Sequence, residues 1–167
     1  AFDVIRDRLR QAKGRVRRHG ADYLFYALMD SVVDWYFHVV DRIGEKVQVI
    51  ENELLKENSK NTVLQLYKLR REVITLARHV MPLRELVNNL SRSENDLITE
   101  SFSMFHRDLA DHVTRIIDSV GSDRELLNSL MDLNLSYNSN KMNEVMKVLT
   151  IISTVFIPVT FIVGVYG

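Results

Sequence analysis

The sequence predicts an all-α chain in which a long antiparallel helical hairpin is followed by a very long stalk helix that runs into a transmembrane span. Three observations carry this prediction. Only two of the 167 residues are proline and no glycine falls between Gly44 and Gly121, so little stops a helix. Apolar residues recur at steps of three and four along most of the chain, whereas strand-like alternation never persists. From Val148 to Gly167 no residue is charged, and about 20 residues at 1.5 Å each span roughly 30 Å, the thickness of a bilayer's hydrocarbon core.

Composition removes several function classes. The 22 basic and 22 acidic residues balance, so no global field draws the chain to nucleic acid. The absence of cysteine excludes a disulfide frame, a thiolate metal site and a cysteine nucleophile. Residue 1 is Ala with no charged-then-apolar leader after it, and the span stops at Gly167 without polar or aromatic anchors beyond it. Both ends therefore read as cuts from a longer chain.

Residues 1–20 hold a short amphipathic helix, with Phe2, Ile5 and Leu9 on one face, and a basic loop, "QAKGRVRRHG". Without a second signal for phospholipid, the loop reads as a solvated connector. Residues 21–92 form the hairpin. Its first helix keeps one apolar face from Tyr23 to Leu54 over about 35 residues, stops at the polar turn Asn58 to Asn61, and returns through Val63, Leu66, Leu69, Val73, Leu76, Val80, Leu83, Leu86 and Leu90. Pro82 should kink this second helix without ending it, because the periodicity continues through "LRELVNNL".

The polar run "SRSEND" separates the hairpin from the stalk, residues 97–147, whose apolar positions run from Ile98 to Val145 on spacings of mostly three and four. Gly121 is its one weak point. Together with residues 148–167 the stalk makes on the order of 100 Å of continuous helix, too long to bury its apolar stripe without partner helices or copies of itself in a coiled-coil-like assembly. Lys141 and Lys147, just ahead of the span, agree with a cytoplasmic location for the residues before 148.

Steps of three and four back from Gly167 meet Gly164, Thr160, Ile157, Ser153, Leu149 or Thr150, Met146 and Asn143. Small and hydroxyl-bearing residues concentrate on that face. One reading is a helix-packing seam whose hydroxyls bond back onto their own helix. The other is a pore wall, where hydroxyls and carbonyls replace part of an ion's water and a greasy ring gates by dewetting. Both readings require oligomers.

The stretch "NKMNEVMKVLTIISTVFIPVTFIVGVYG", from Asn140, resembles the pore helix of the CorA family of divalent-cation channels, whose signature Tyr-Gly-Met-Asn would begin at Tyr166 and Gly167. "GRVRRHGADYLFYALMDSVVDWYF" from Gly14, "MPLRELVNNL" from Met81 and "FHRDLADHVTRIIDSV" from Phe105 are similar to family segments in the family's order. The resemblance implies a homopentamer in the cell (inner) membrane that transports Mg²⁺, with Co²⁺ and Ni²⁺ as permeant analogues. It also implies that an N-terminal α/β domain and a second span are missing here. Lipid, divalent cations and copies of itself are the implied partners, with no organic cofactor and no nucleic acid.

By the same resemblance Asn143, Met146, Leu149, Ile157, Thr160 and Gly164 line the pore. Asn143 would offer an amide oxygen to a hydrated ion, and Met146 and Leu149 would form a hydrophobic constriction. Ile157 stands where many relatives carry methionine. Asp108 matches the stalk aspartate of the family's regulatory Mg²⁺ site between subunits, and Asp30 and Asp34 match further acidic positions of it. On spacing alone, Asp30 and Asp34 at i and i+4 read as a solvated helix face.

"HRDLADH" contains the His-Arg-Asp-Leu of a protein-kinase catalytic loop, yet Val113 stands where that loop has asparagine, and there is neither a glycine-rich loop nor Asp-Phe-Gly. Asp108 and His112 at i and i+4, with Asp111 beside them, would suit a transition metal such as zinc, although His112 alone reads as a surface histidine without a fixed partner. His19, His38, His79 and His106 give no metal spacing, and no serine accompanies a histidine-acid pair, so an enzyme is not expected. A Zn²⁺ transporter of the same fold and a tail-anchored structural helix bundle are the alternatives.

Overall fold

The computed structural model describes residues 2–11, 15–17, 19–56, 60–92 and 102–167. Among them there are four α-helices and no strand: α1 (Asp3–Arg10), α2 (Ala21–Lys56), α3 (Lys60–Arg92) and α4 (Phe102–Tyr166), with a 3₁₀ turn at Arg15–Arg17. The chain divides into two units, Ala1–Asn128 and Ser129–Gly167.

In the first unit the buried positions of each long helix repeat on a coiled-coil rhythm. Helix α2 buries Tyr26, Val33, Val40, Ile43, Val47, Ile50 and Leu54; α3 buries Leu66, Leu69, Val73, Ala77, Val80 and Val87; and α4 contributes Phe102, Leu109, Val113, Ile116, Val120 and Leu127. Seven-residue repeats split three and four keep one stripe facing the partner helices. The polar pairs give the directions. Thr62 Oγ1 donates to Glu53 Oε2 at 3.2 Å and Lys46 meets Glu72 at 3.2 Å, so α2 and α3 run antiparallel. Arg70 Nε donates to Asn128 Oδ1 at 3.1 Å while His106 Nε2 contacts the Val87 carbonyl, so α3 and α4 are antiparallel too. Helix α2 is then parallel to α4, which brings residue 26 beside residue 108 and residue 30 beside residue 112.

Several expectations are sharpened by the structure. Helix α3 passes unbroken through Pro82, which has no N–H to give the Arg78 carbonyl. Gly121 lies inside α4, and a Cβ there would meet nothing within 4 Å, so no close approach demands glycine. The basic loop is not wholly solvated, because Val16 is buried in the 3₁₀ turn. Lys60 and Asn61, expected in the turn, already belong to α3. The rest of that turn at 58–59, the part of "SRSEND" that follows Arg92, and the expected stalk start at 97–101 lie outside the described residues.

The second unit is the end of α4. Leu130 and Asn134 are buried, whereas from Leu135 to Gly167 every residue is exposed except the half-buried Ser153. This helix is long and apolar enough to cross a membrane, and none of its most apolar window is covered by the chain's own atoms.

Candidate metal centre

The centre is assembled by packing before it is assembled by charge. Near the start of α2, Tyr23 and Tyr26 close on Phe105 of α4 with ring centroids 5.0 and 5.1 Å apart. One to two turns on, Val33, Leu109 and Val113 are almost completely buried. Leu109 pins the backbone of α4 so that its neighbour Asp108 projects beside Tyr26. The Tyr26 hydroxyl donates to Asp108 Oδ2 at 3.0 Å.

Helix periodicity then places Asp30 and Asp34 one and two turns after Tyr26 on the same face of α2, opposite His112. His112 Nδ1 lies 3.4 Å from Asp30 Oδ1, and its Nε2 lies 3.7 Å from Asp108 Oδ1. Asp30, Asp34 and His112 each offer one ligand atom within 4.8 Å of the others. Phe37 packs edge-on against the His112 ring at 5.8 Å and fixes its plane. The expectation that His112 has no fixed partner is therefore corrected: the parallel packing of α2 and α4 sets Asp30 before Nδ1, and Asp108, one turn earlier on α4 itself, stands before Nε2.

The electrostatics are those of a site short of positive charge. Burial, followed by the charge of Asp34 and with a smaller push from Asp108, raises the Asp30 carboxyl above the usual carboxylate range, and His112 offsets only part of this. Tyr26 is raised above the ordinary phenol by burial, by its bond to Asp108 and by the charges of Asp30 and Asp108. Asp30 Oδ1 and His112 Nδ1 are buried atoms that lack a hydrogen-bond partner among the described residues. Their 3.4 Å approach is a contact of opposite polarity without the alignment of a hydrogen bond. Oxygen donors with unspent lone pairs around a half-buried, under-compensated carboxylate fit a divalent cation.

The structure thus places Asp30, Asp34 and Asp108 of the sequence-predicted site around His112, which the sequence offered only with Asp108 for a transition metal, and adds Tyr26. Tyr26 was legible as the residue one turn before Asp30 on its apolar-to-acidic face, but only packing tells which tyrosine reaches Asp108. His106 is a buried histidine of a different kind, tied by Nε2 to the Val87 carbonyl and set against Phe102.

The other predicted residues lie along the exposed end of α4. Asn143, Met146, Leu149, Ile157, Thr160 and Gly164 are all uncovered by this chain. A Cβ at Gly164 would meet nothing within 4 Å. Tyr166 ends the helix, and the Gly167 N–H donates to the Val163 carbonyl at 2.8 Å. Thr150, Thr154 and Thr160 each donate their hydroxyl at 2.8 Å to the carbonyl one turn earlier.

Comparison with known proteins was made on sequence and on structure. The family model described as CorA-like Mg²⁺ transporter protein matches residues 1–167. The chain is 43% identical over 166 residues to the cobalt/magnesium transport protein CorA of Thermotoga maritima, covering 99% of this chain and 47% of that protein. It is 32% identical over 163 residues to the putative metal ion transporter YfjQ of Bacillus subtilis, covering 98% of this chain and 51% of that one. The solved structure of the CorA magnesium transporter from Methanocaldococcus jannaschii superposes with a TM-score of 0.84 at 24% identity, over 96% of this chain and 52% of that chain, a likeness of fold. The chain spans about half the length of the curated relatives it matches.

Proposed function

We propose, for a chain that belongs to the CorA family of Mg²⁺ transporters, a part in carrying divalent cations across a membrane. The relatives reported above carry the names of transporters and not of enzymes. In this reading the chain works as a homopentamer in the cell membrane. Residues 148–167 cross the bilayer and residues before 148 lie in the cytoplasm. The face bearing Asn143, Met146, Leu149, Ile157, Thr160 and Gly164 lines the pathway, and Met146 and Leu149 close it by excluding water. Tyr166 and Gly167, the last residues of the span, open the family's signature.

The observation that supports the regulatory part is that Asp30 and Asp34 of α2 and Asp108 of α4 all stand close to His112, Asp30 and Asp34 with ligand atoms within 4.8 Å of it and Asp108 Oδ1 at 3.7 Å. Mg²⁺ prefers oxygen ligands and keeps several waters, so a site at a subunit seam needs few carboxylates from each side. These residues would hold the ion with acidic groups of a neighbouring subunit, and the ion would supply the positive charge the cluster lacks. Loss of cytoplasmic Mg²⁺ leaves the carboxylates in mutual repulsion, which favours a shifted arrangement of subunits. Mg²⁺ is thus both cargo and regulator, with Co²⁺ and Ni²⁺ as other cargo.

The test is uptake by liposomes carrying the full-length protein, read with Mg²⁺- and Zn²⁺-sensitive dyes, with and without a proton gradient. Gradient-independent Mg²⁺ entry is expected, and no flux of either ion would sink the transport reading. For the regulatory site, Asp108→Asn should reduce the protection that millimolar Mg²⁺ gives the soluble region against protease; unchanged protection removes Asp108 from the site. One observation favours a second reading. The imidazole of His112 lies between Asp30 and Asp108, and nitrogen suits Zn²⁺ better than Mg²⁺. Proton-dependent Zn²⁺ entry would decide for it.

A further inference from the structure

The Tyr26 hydroxyl is spent on one oxygen of one carboxylate. It donates to Asp108 Oδ2 at 3.0 Å, which leaves Oδ1 turned toward His112. Tyr26 is itself held: its side chain is buried, and its ring packs at 5.1 Å on Phe105 of α4 and at 5.9 Å on Tyr23 of α2. A hydroxyl on a ring so confined cannot follow the carboxylate if it turns. Asp108, by contrast, is more than half exposed and would otherwise choose its own rotamer.

We propose that Tyr26 is a positioning residue that holds Asp108 to coordination through a single oxygen and thereby biases the site toward Mg²⁺ over Ca²⁺. The inference rests on the regulatory reading given above. Mg²⁺ demands near-ideal octahedral geometry and keeps its waters, so a carboxylate that presents one oxygen at a fixed angle suits it. Ca²⁺ takes more ligands at longer distance and accepts both oxygens of a carboxylate. With Oδ2 engaged by the phenol, two-oxygen chelation has to share that oxygen with the Tyr26 bond, at the angle the bond fixes, or displace it. Without the phenol, Asp108 turns freely, single-oxygen binding loses its preorganisation, and two-oxygen binding loses its obstacle. Partners that orient ligands from behind in this way are worth about 10- to 100-fold in metal affinity.

The experiment compares full-length wild type, Tyr26→Phe and Asp108→Asn in detergent. Protease protection is titrated separately with Mg²⁺ and Ca²⁺, and the melting temperature is measured in EDTA. Phe keeps the buried ring and its contacts, so melting in EDTA should change little. The Mg²⁺ midpoint should rise about tenfold, the Ca²⁺ midpoint much less, so the preference for Mg²⁺ narrows. An unchanged Mg²⁺ midpoint overturns the proposal, and so does an equal shift for both ions with earlier melting, which is the mark of a merely structural tyrosine. Asp108→Asn separates the two levels. If it loses protection while Tyr26→Phe behaves as wild type, the regulatory site stands and the role of Tyr26 falls; if it keeps full protection, the site and the inference fall together.

Discussion

Asp30→Asn should make the protein more stable without divalent cation and less stable with it. The carboxyl is half-buried, its Oδ1 lacks a hydrogen-bond partner among the described residues, and a ligand oxygen of Asp34 lies within 4.8 Å. Two unit charges at 4.8 Å repel by about 0.9 kcal/mol in water and about 3.5 kcal/mol at an effective dielectric constant of 20. Asp34 is exposed, so the lower end applies, and removing the Asp30 charge should stabilise the cation-free protein by about 1 kcal/mol. That is a rise of about 3 °C in melting temperature for a unit of this size. A cation at a hundred times its dissociation constant stabilises the wild type by about 2.7 kcal/mol. A tenfold loss of affinity reduces this gain to about 1.4 kcal/mol, so the order of the two proteins reverses in Mg²⁺. Calorimetry of the full-length protein at mildly alkaline pH, in EDTA and in saturating MgCl₂, reads both halves. The pH dependence has a definite sign. Because burial and Asp34 raise the folded-state pKa of Asp30 above 3.8, the folded protein takes up this proton before the unfolded chain does. The cost of the charge is therefore full above the folded value and fades as pH falls toward 3.8, and the advantage of the variant fades with it. A variant that melts below wild type in EDTA would refute the reasoning.

Replacing Met146 or Leu149 by serine should raise resting cation flux into liposomes several-fold, since a polar ring at the proposed constriction stays wet; wild-type flux in both would place the constriction elsewhere. Asp123 is raised by burial alone, so Asp123→Asn should stabilise the protein by a fraction of a kcal/mol at neutral pH, with a gain that disappears on acidification as the wild-type carboxyl protonates; a loss of stability at neutral pH would count against the burial argument.

How much of this was legible in the sequence differs by element. The rhythm of Leu66, Leu69, Val73 and Val80 specifies a buried stripe by itself, because every helix repeats its faces after 3.6 residues. Pro82 was read correctly as interior because its apolar neighbours keep their period on both sides. The pairing of Asp30 with Asp34 is likewise a matter of spacing. What spacing cannot supply is the register between helices. Whether Asp108 faces Tyr26 or the residue a turn away depends on how Phe105 and Leu109 seat against α2, and these contacts are 82 residues apart in the chain at the Tyr26–Asp108 bond. His112 was misjudged for the same reason. Asp30 and Phe37, which fix its ring, lie on α2, and only Asp108 is on its own helix. Val16 shows the limit on a smaller scale, since four basic residues around it hide one apolar anchor.

The hydroxyls of the span bear on the choice between a packing seam and a cation pathway. Back-bonding of Thr150, Thr154 and Thr160 to their own helix is what threonine does on helices generally, and taken alone it favours neither partner helices nor ions. The orientation of the hydroxyl adds something. Each spends its single proton inward on a carbonyl, which leaves the oxygen's lone pairs as its outward face. A surface of acceptors without free donors is poor at bonding to a copy of itself, because two such faces have lone pairs and no proton between them. It suits water that solvates a cation, which turns its hydrogens away from the ion and toward the wall. At Thr160, on the face assigned to the pathway, the polarity is thus right for a hydrated cation and wrong for an anion. Thr160→Val, which keeps the shape and removes the acceptor, should lower Mg²⁺ flux while leaving the assembly intact by gel filtration. A loss of assembly with no change in flux per oligomer would return Thr160 to the seam.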